Sequence, residues 1–184
     1  MLEVEAKYRL TDWSALVAML VAWGAELAET REDTDHYFNA PDRDFAKTDE
    51  AFRLRCIGTR NYLTYKGPKR DTATKTRSEI ELAIAPGADG ATTAVRMIIA
   101  LGYRPVAVVA KHRTVYEFCR GAFAMEACLD DVGSIGRFVE LEIQSTEADY
   151  EAAKATLLAA AAELGLVDQE RRSYLEMLLT ANRG

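Results

Sequence analysis

Apolar and polar residues alternate along much of the chain, which is the pattern of strands with one buried face. The first alternating run covers residues 2–10 and reads LEVEAKYRL. Further alternating runs read AFRLRCIG, NYLTYKG, RSEIELAIA, VAVVAKHRTVYEF, FAMEACLDDV and GRFVELEIQS, and a short strand is predicted near Tyr37 and Phe38. Because strands outnumber the helices between them, the pattern favours a largely antiparallel sheet or barrel with helices outside, an α+β fold.

Four segments are predicted to be helical. The first, WSALVAMLVAW, follows an N-capping Thr11-Asp12 pair and ends at Gly24. The others read TTAVRMIIALGY, TEADYEAAKATLLAAAAELGL and SYLEMLLTANRG, with Gly102 and Gly165 expected to end the first two of these. No linker or low-complexity segment divides the chain, so residues 1–184 are expected to form a single domain.

Charged side chains recur at every second position of the predicted strands and therefore share one face of each strand. The acidic members are Glu3, Glu5, Glu79, Glu81, Asp130, Glu140 and Glu142. The basic members are Lys7, Arg53, Arg55, Lys66, Arg77, Lys111 and Arg113. The alternate positions are predicted to be core: Leu54, Leu63, Tyr65, Ile80, Leu82, Val139, Leu141 and Ile143.

Two interpretations of this ionic face are open. In the first, it is the wet face of an open antiparallel sheet. In the second, the sheet closes and the charges line an enclosed cavity, where they need partners or an ionic ligand. Carboxylate oxygens suit Mg²⁺ or Mn²⁺, and arginine and lysine suit phosphate oxygens. The second interpretation therefore predicts a polyphosphate site in which Glu3 and Glu5 hold metal and Lys7 reaches the phosphate.

Composition restricts the classes of partner. The net charge of −6 argues against a nucleic-acid or anionic-membrane surface. Three cysteines without a framework spacing favour a reducing, cytoplasmic setting. The segment GPKRDTATKT is interpreted as a polar loop in which Lys69, Arg70 and Lys75 are solvated, with a mobile flap near the mouth of a tunnel as the alternative.

The ordered motifs of the chain resemble those of the CYTH family, the triphosphate tunnel metalloenzymes. EVEAKYRL resembles the family's Glu-x-Glu-x-Lys signature, and DHYF, FRLR, LTYKGPK, RSEIE, KHRTVY, CLDDV, FVELEI and SYLEML resemble later family segments in the same order. The resemblance implies an eight-stranded antiparallel barrel that forms an open tunnel. It also implies metal binding by Glu3, Glu5, Asp130, Glu140 and Glu142, and triphosphate binding by Lys7, Arg53, Arg55, Lys66, Arg77, Lys111 and Arg113.

The function implied by the resemblance is a Mg²⁺- or Mn²⁺-dependent reaction of a small-molecule triphosphate, with Glu3, Glu5 and Lys7 as catalytic residues. LTYKGPK and SYLEML favour a class IV-type adenylate cyclase that converts ATP to cyclic AMP and pyrophosphate. An inorganic or thiamine triphosphatase and a non-catalytic polyphosphate- or nucleotide-binding module are the alternatives. Cyclases of this class often carry a His-Phe pair ahead of the first glutamates, and this chain has Met1 and Leu2 there. Asn39 stands where the family often has Asp, and a homodimer is left open.

Overall fold

A computed structural model describes residues 2–181 and contains eight strands, five helices and one short 3₁₀ turn at Gly133–Ile135. The strands are β1 (Leu2–Arg9), β2 (Glu26–Asn39), β3 (Ala51–Ile57), β4 (Arg60–Lys66), β5 (Arg77–Ile84), β6 (Arg104–Arg120), β7 (Phe123–Asp131) and β8 (Arg137–Ser145). The helices are α1 (Ser14–Ala22), α2 (Phe45–Thr48), α3 (Gly87–Ala100), α4 (Tyr150–Glu163) and α5 (Tyr174–Ala181).

The strands form a closed antiparallel barrel in the order β1-β5-β4-β3-β2-β6-β7-β8, which confirms the predicted fold. β1 and β8 pair along their whole length, from Leu2 with Ser145 to Arg9 with Phe138. The opposite edge of β1 is different, because only Leu2 and Glu3 pair with β5. The barrel therefore has one seam at which strand pairing stops early.

The hydrophobic core lies between the outer wall of the barrel and the helices. Outward residues of β1 and β8 such as Val4 and Leu141 are fully buried, and they belong to one cluster with Leu20 of α1 and Leu157 of α4. α3 packs on the outer faces of β3 and β4 through Ile98. Burying these side chains stabilises the fold by about 25 cal/mol per Å² of apolar surface. Since the apolar positions are used outside, the alternating charged positions face inward.

α5 lies across one end of the barrel. Its Tyr174 and Met177 pack against three side chains that point into the barrel, Tyr37, Val109 and Phe138. Helix α5 was predicted, but the sequence patterns did not indicate that it covers a barrel end. The last three residues of the predicted helical segment lie outside the described residues.

The glycines expected to end helices do so. Gly24, Gly102 and Gly165 follow α1, α3 and α4 with φ of +81°, +90° and +70°, the left-handed conformation that glycine adopts without steric cost. α3 begins at Gly87, five residues before the predicted start at Thr92. Among residues 2–181, no helix has the length and apolar character needed to cross a membrane.

Three expectations about the elements were wrong. β2 begins at Glu26 and has 14 residues, whereas only its end near Tyr37 and Phe38 was predicted. Its first half carries charged residues and threonines, so hydrophobic alternation does not mark it. The four-residue α2 was also missed. Ile80 and Leu82 were expected in the core, but they are 64% and 61% exposed, because α3 packs on β3 and β4 and leaves this part of β5 uncovered.

Candidate active site in the barrel interior

A cavity of about 750 Å³ occupies the barrel interior, and nearly every charged residue singled out in the sequence lines it. The lining includes Glu3, Glu5, Lys7, Arg53, Arg55, Lys66, Arg77, Glu79, Glu81, Lys111, Arg113, Glu140 and Glu142. This arrangement selects the closed, cavity-lining interpretation over the wet-face one. Asp130 is the member of the predicted set that does not line the cavity, and it is fully buried behind it.

The acidic side of the cavity is formed by β1 and β8. The register places Glu5 opposite Glu142 and Lys7 opposite Glu140. The Nη2 atom of Arg113 donates to Glu140 Oε2 at 2.5 Å, while its Nη1 atom lies 3.6 Å from Glu142 Oε1. One arginine of β6 is therefore shared between two glutamates that are two residues apart on β8.

These two glutamates differ in proton affinity. Burial raises the pKa of Glu142 to about 8, and the nearby carboxylates of Glu3 and Glu140 add to the rise while Arg113 opposes it. Burial would also raise the pKa of Glu140, but the positive charges of Lys75 and Arg113 hold it well below its usual value. Burial and neighbouring carboxylates raise the pKa of a carboxyl group, whereas close cations lower it.

Asp130 positions cations. Its two oxygens accept hydrogen bonds from Arg113 at 2.7 and 2.6 Å, and Tyr174 Oη of α5 donates to Oδ2 at 2.8 Å. Lys111 Nζ lies 3.5 Å from the same Oδ2. Both oxygens are engaged and the side chain lies behind the lining, so we describe Asp130 as a positioning residue, and the metal-ligand role that the resemblance implied stays a prediction.

A second buried aspartate orients the arginines of β3. Asp35 accepts two hydrogen bonds from Arg55, at 2.7 and 2.8 Å, and one from Arg53 at 3.3 Å. Asp33 accepts from Arg31 at 2.9 Å and lies 3.8 Å from Lys111. Asp33 and Asp35 were missed as site residues, because β2 was predicted too short. Asp33, Asp35 and Tyr37 are two residues apart and so share one face of a strand. This spacing is the sequence signal that could have identified the two aspartates.

Lys66 and Lys7 face the cavity from β4 and β1. Lys66 Nζ lies 2.6 Å from Glu3 and 2.8 Å from Glu79. Lys7 Nζ is fully buried and makes no hydrogen bond; it lies 3.8 Å from Glu140 and 4.0 Å from the ring centroid of Tyr174. Burial lowers the pKa of Lys7 to about 7, with repulsion from nearby Lys75 adding to the shift. An ammonium without a hydrogen-bond acceptor, directed at a cavity, favours an anionic ligand there.

The expectation that Lys75 is solvated was wrong. The side chain is buried, and its Nζ donates to Glu5 and lies 3.5 Å from Glu140 Oε1. Lys69 of the same loop also lines the cavity and pairs with Asp49 at 2.5 Å. Arg70 is exposed, as expected. Lys75 could not be found by strand alternation because it precedes β5.

Two polar residues next to site residues in the sequence lie on the outer face of the barrel. Asp131 is outside the barrel, 2.9 Å from Arg137, and His112 is exposed beside Glu32. Cys128 is fully buried on an inward position, with Glu126 and Glu142 close enough to share an ion. Burial raises the pKa of the Cys128 thiol well above its usual value, so it is a poor ligand as it stands. Of the other two cysteines, Cys119 is exposed and Cys56 is half-buried.

The donor set of the acidic side fits a hard divalent cation. Glu3, Glu5, Glu140 and Glu142 line one cavity and offer only carboxylate oxygens, which Mg²⁺ and Mn²⁺ prefer. Burial raises the pKa of Glu142, and the neighbouring carboxylates of Glu3 and Glu140 add to the rise; a bound cation would oppose both effects. The residues at this wall of the cavity therefore fit a divalent metal ion.

Comparison with known proteins gives the family of the chain. The family model described as CYTH domain matches residues 1–174. The chain belongs to the CYTH family. Among curated CYTH-like relatives, the "Adenylate cyclase CyaB" of Aeromonas hydrophila is 33% identical over 98% of this chain and 92% of its own length. The "Putative adenylate cyclase MJ0240" of Methanocaldococcus jannaschii is 38% identical over 77% of each chain.

Solved structures agree with the CYTH fold. The PH1819 protein of Pyrococcus horikoshii has a TM-score of 0.83 and 34% identity, covering 97% of this chain and 99% of that one. An adenylyl cyclase-like protein of Hippeastrum, HpAC1, described as having a dominant triphosphatase activity, has a TM-score of 0.68 over 97% of this chain and 96% of that one. Its identity of 20% supports the shared fold alone.

Proposed function

We propose that this CYTH protein is a divalent-metal-dependent enzyme that acts on a triphosphate, with residues 1–184 as its single domain. The preferred substrate in this proposal is ATP, converted to cyclic AMP and pyrophosphate. The observation that carries the proposal is the convergence of cationic and carboxylate side chains on one enclosed cavity. The adenylate cyclase names of the two curated relatives support the choice of reaction.

The triphosphate is held by side chains from five strands, namely Lys7, Arg53, Arg55, Lys66, Arg77, Lys111 and Arg113. Asp35 and Asp130 fix two of the guanidinium groups by paired hydrogen bonds. Because these cations are already oriented, little reorganisation accompanies binding of the phosphate oxygens. In this proposal Asp35 and Asp130 are positioning residues.

The metal site in this proposal consists of Glu3, Glu5, Glu140 and Glu142. When bound there, Mg²⁺ or Mn²⁺ would neutralise phosphate charge and activate the attacking oxygen. The neighbouring Lys7 and Arg113 keep positive charge close to these carboxylates. Their position allows one phosphate group to contact a cationic side chain and remain beside the acidic wall.

In the cyclase reaction, the ribose 3′-hydroxyl attacks the α-phosphorus and gives up its proton to water, and the bond from that phosphorus to the bridging oxygen of pyrophosphate breaks. The arginines and lysines hold the departing pyrophosphate as negative charge builds on it. No side chain in the described residues is placed as an obvious general base. Orientation and charge stabilisation therefore supply most of the rate enhancement in this proposal.

The lining of the cavity favours a substrate with an organic part. Beyond the charged groups, it includes the apolar side chains of Phe45, Phe52, Leu175 and Leu179. A volume of about 750 Å³ lies within the usual range for ligand pockets of drug-sized molecules. A bare tripolyphosphate would leave this apolar surface without a partner, whereas a nucleoside would cover part of it.

A triphosphatase is the second candidate. The observation that favours it is the charged lining of the cavity, which suits hydrolysis of a terminal phosphate as well as it suits cyclisation. The same cations would hold the substrate, and water would attack the terminal phosphorus. A non-catalytic binding module is less well supported, because binding an anion needs cations more than it needs four carboxylates that line the same cavity. In this proposal the protein resides in the cytoplasm, because three free thiols fit a reducing compartment.

Product analysis tests the proposal. The protein is incubated with ATP, tripolyphosphate or thiamine triphosphate in the presence of Mg²⁺ or Mn²⁺, and the products are separated. Cyclic AMP with pyrophosphate supports the cyclase, and orthophosphate with a diphosphate supports the hydrolase. Glu140→Gln should lower the rate by about 100-fold or more, whereas Asp131→Asn, outside the barrel, should leave it unchanged. Binding of a triphosphate without formation of any product would support the non-catalytic binding module.

A further inference from the structure

The seam of the barrel is closed by a loop that carries a lysine into the active-site cavity. Beyond Glu3, the edge of β1 pairs with loop backbone: Lys75 N–H donates to Glu5 O at 2.8 Å, and Glu170 N–H donates to Lys7 O at 2.8 Å. We call residues 67–76 the seam loop. Its inner part is deeply buried, with Thr74 and Thr76 fully inaccessible to solvent.

The backbone of the seam loop is firmly anchored. Asp71 accepts from the Ala73 and Thr74 amides at 2.8 Å each and from Lys154 of α4 at 3.0 Å. Gln169 donates to the Ala73 carbonyl at 2.7 Å. These bonds hold the loop from outside the barrel. The side chain of Lys75 is therefore free to change partners within the cavity without opening the seam.

In the structure, the Lys75 ammonium lies between two carboxylates. It donates to Glu5 and lies 3.5 Å from Glu140 Oε1, an oxygen that is also 3.8 Å from Lys7 Nζ. Burial would lower the pKa of Lys75, but the charges of Glu5 and Glu140 raise it above its usual value. The ammonium is thus a resident counter-ion for two of the proposed metal ligands.

A divalent cation and this ammonium compete for the same oxygens. Mg²⁺ requires carboxylate oxygens at about 2.0–2.1 Å, and an ammonium paired with those oxygens would repel it strongly in a buried site. Lys75 lines the same cavity. A phosphate oxygen bound in this cavity is therefore an alternative hydrogen-bond acceptor for its ammonium. The side chain has four methylene groups and can redirect its ammonium by rotation.

We propose that Lys75 is an exchangeable cation, which pairs with Glu5 and Glu140 in the empty enzyme and moves to a triphosphate oxygen when metal takes over those carboxylates. This inference rests on the proposed function, because it takes Glu5 and Glu140 as metal ligands. The exchange keeps the charge of the cavity nearly balanced in both states. It also couples metal binding to triphosphate binding. The metal releases the ammonium from the two carboxylates, and the triphosphate then accepts a hydrogen bond from it.

The test is a pair of binding measurements by calorimetry on the full chain. Lys75→Met should tighten binding of Mn²⁺ alone by about tenfold or more, because the competing charge is removed. The same variant should weaken binding of tripolyphosphate at saturating Mn²⁺ by about tenfold, because a phosphate partner is lost, and should change tripolyphosphate binding in EDTA much less, because Lys75 is then held by Glu5 and Glu140. Opposite signs in one variant are the signature of exchange; loss of fold would weaken both ligands together.

Lys69→Met is the matched control. It removes one positive charge from the same loop, but its partner Asp49 is not one of the proposed metal ligands. Both affinities should change by less than about threefold. Glu5→Gln provides an independent measurement. It should weaken the binding of Mn²⁺ and, because it frees the ammonium, strengthen the binding of tripolyphosphate without metal. Most of that gain in affinity should be lost in the double variant with Lys75→Met.

The outcomes separate the two proposals. If the wild-type protein binds neither Mn²⁺ nor tripolyphosphate, the proposed function fails, and the exchange fails with it. If both ligands bind but Lys75→Met changes the two affinities in the same direction, or no more than Lys69→Met does, the exchange alone is overturned. In that case Lys75 is a structural ion-pair partner of Glu5.

Discussion

The two faces of the barrel wall are stabilised by different forces. On β8, Leu141 faces outward into the core under α4, while the adjacent Glu142 faces the cavity. The outer face gains stability from burial of apolar surface, which does not depend on direction. The inner face depends on oriented ion pairs, each of which is costly unless its partner is present. A fold with its hydrophobic core outside the barrel can therefore keep a polar interior for chemistry.

The first prediction breaks the inner network at its most connected point. Asp130→Ala should lower the free energy of unfolding by about 3–5 kcal/mol, because it leaves Arg113 buried without its paired acceptor. Urea denaturation monitored by circular dichroism measures the change. The adjacent Asp131→Ala should cost only about 0–1 kcal/mol, because its pair with Arg137 is half-exposed. Equal effects for these neighbours would contradict the inside–outside assignment.

The second prediction tests the outer wall. Leu141→Ala should cost about 2–5 kcal/mol, because it opens a cavity in the largest hydrophobic cluster. The same denaturation experiment applies, and Leu82→Ala is the control. Leu82 occupies an alternating strand position too, but it is 61% exposed, so its truncation should cost about 0.5 kcal/mol or less. A large loss for Leu82 would show that the outer face of β5 is covered.

The sequence predicted the barrel well because most strands follow one rule. Alternation placed Glu3, Arg53 and Glu140 on the inward face, and a closed sheet brought them together as expected. The first half of β2 escaped prediction because it has polar residues on both faces, so no hydrophobic period identifies it. Asp33 and Asp35 were missed for the same reason.

Lys75 was missed for a different physical reason. It lies in a loop, where no period relates one residue to the next, and its burial depends on the seam left by the short pairing of β1 with β5. The exposure of Ile80 and Leu82 also depends on tertiary structure, namely on which strands α3 covers. Local sequence can indicate which face a strand residue takes, but not what packs against that face.

The third prediction uses pH to separate the two faces. Burial would raise the pKa of Asp35, but Arg53 and Arg55 lower it well below its usual value. A depressed folded-state pKa contributes stability that is fully present above the unfolded value of about 3.9 and is lost as pH falls below it. This contribution should be on the order of 2 kcal/mol. Unfolding free energies measured between pH 6 and pH 2.5 should therefore fall steeply.

Two variants check the origin of this acid sensitivity. Asp35→Asn should be less stable than the wild type at pH 6 and should lose less stability on acidification, because the titrating carboxylate is gone. Leu141→Ala should be less stable by a constant amount at every pH, since it removes no charge. If Asp35→Asn keeps the full wild-type slope, other carboxylates of the interior are responsible.

The smallest predicted effect concerns the outward face of β5, where the comparison between the two faces is least clear. Ile80 alternates like a core residue and is 64% exposed, so Ile80→Thr should change the unfolding free energy by no more than about 0.5 kcal/mol. Sedimentation of both proteins over a range of concentrations completes the experiment. A loss above about 1 kcal/mol that grows with protein concentration would mean that a second copy covers this face. The outer hydrophobic core would then extend across the interface of a homodimer. The apolar residues on the outer face of β5 would be buried by the second copy, as those of β8 are buried by α4.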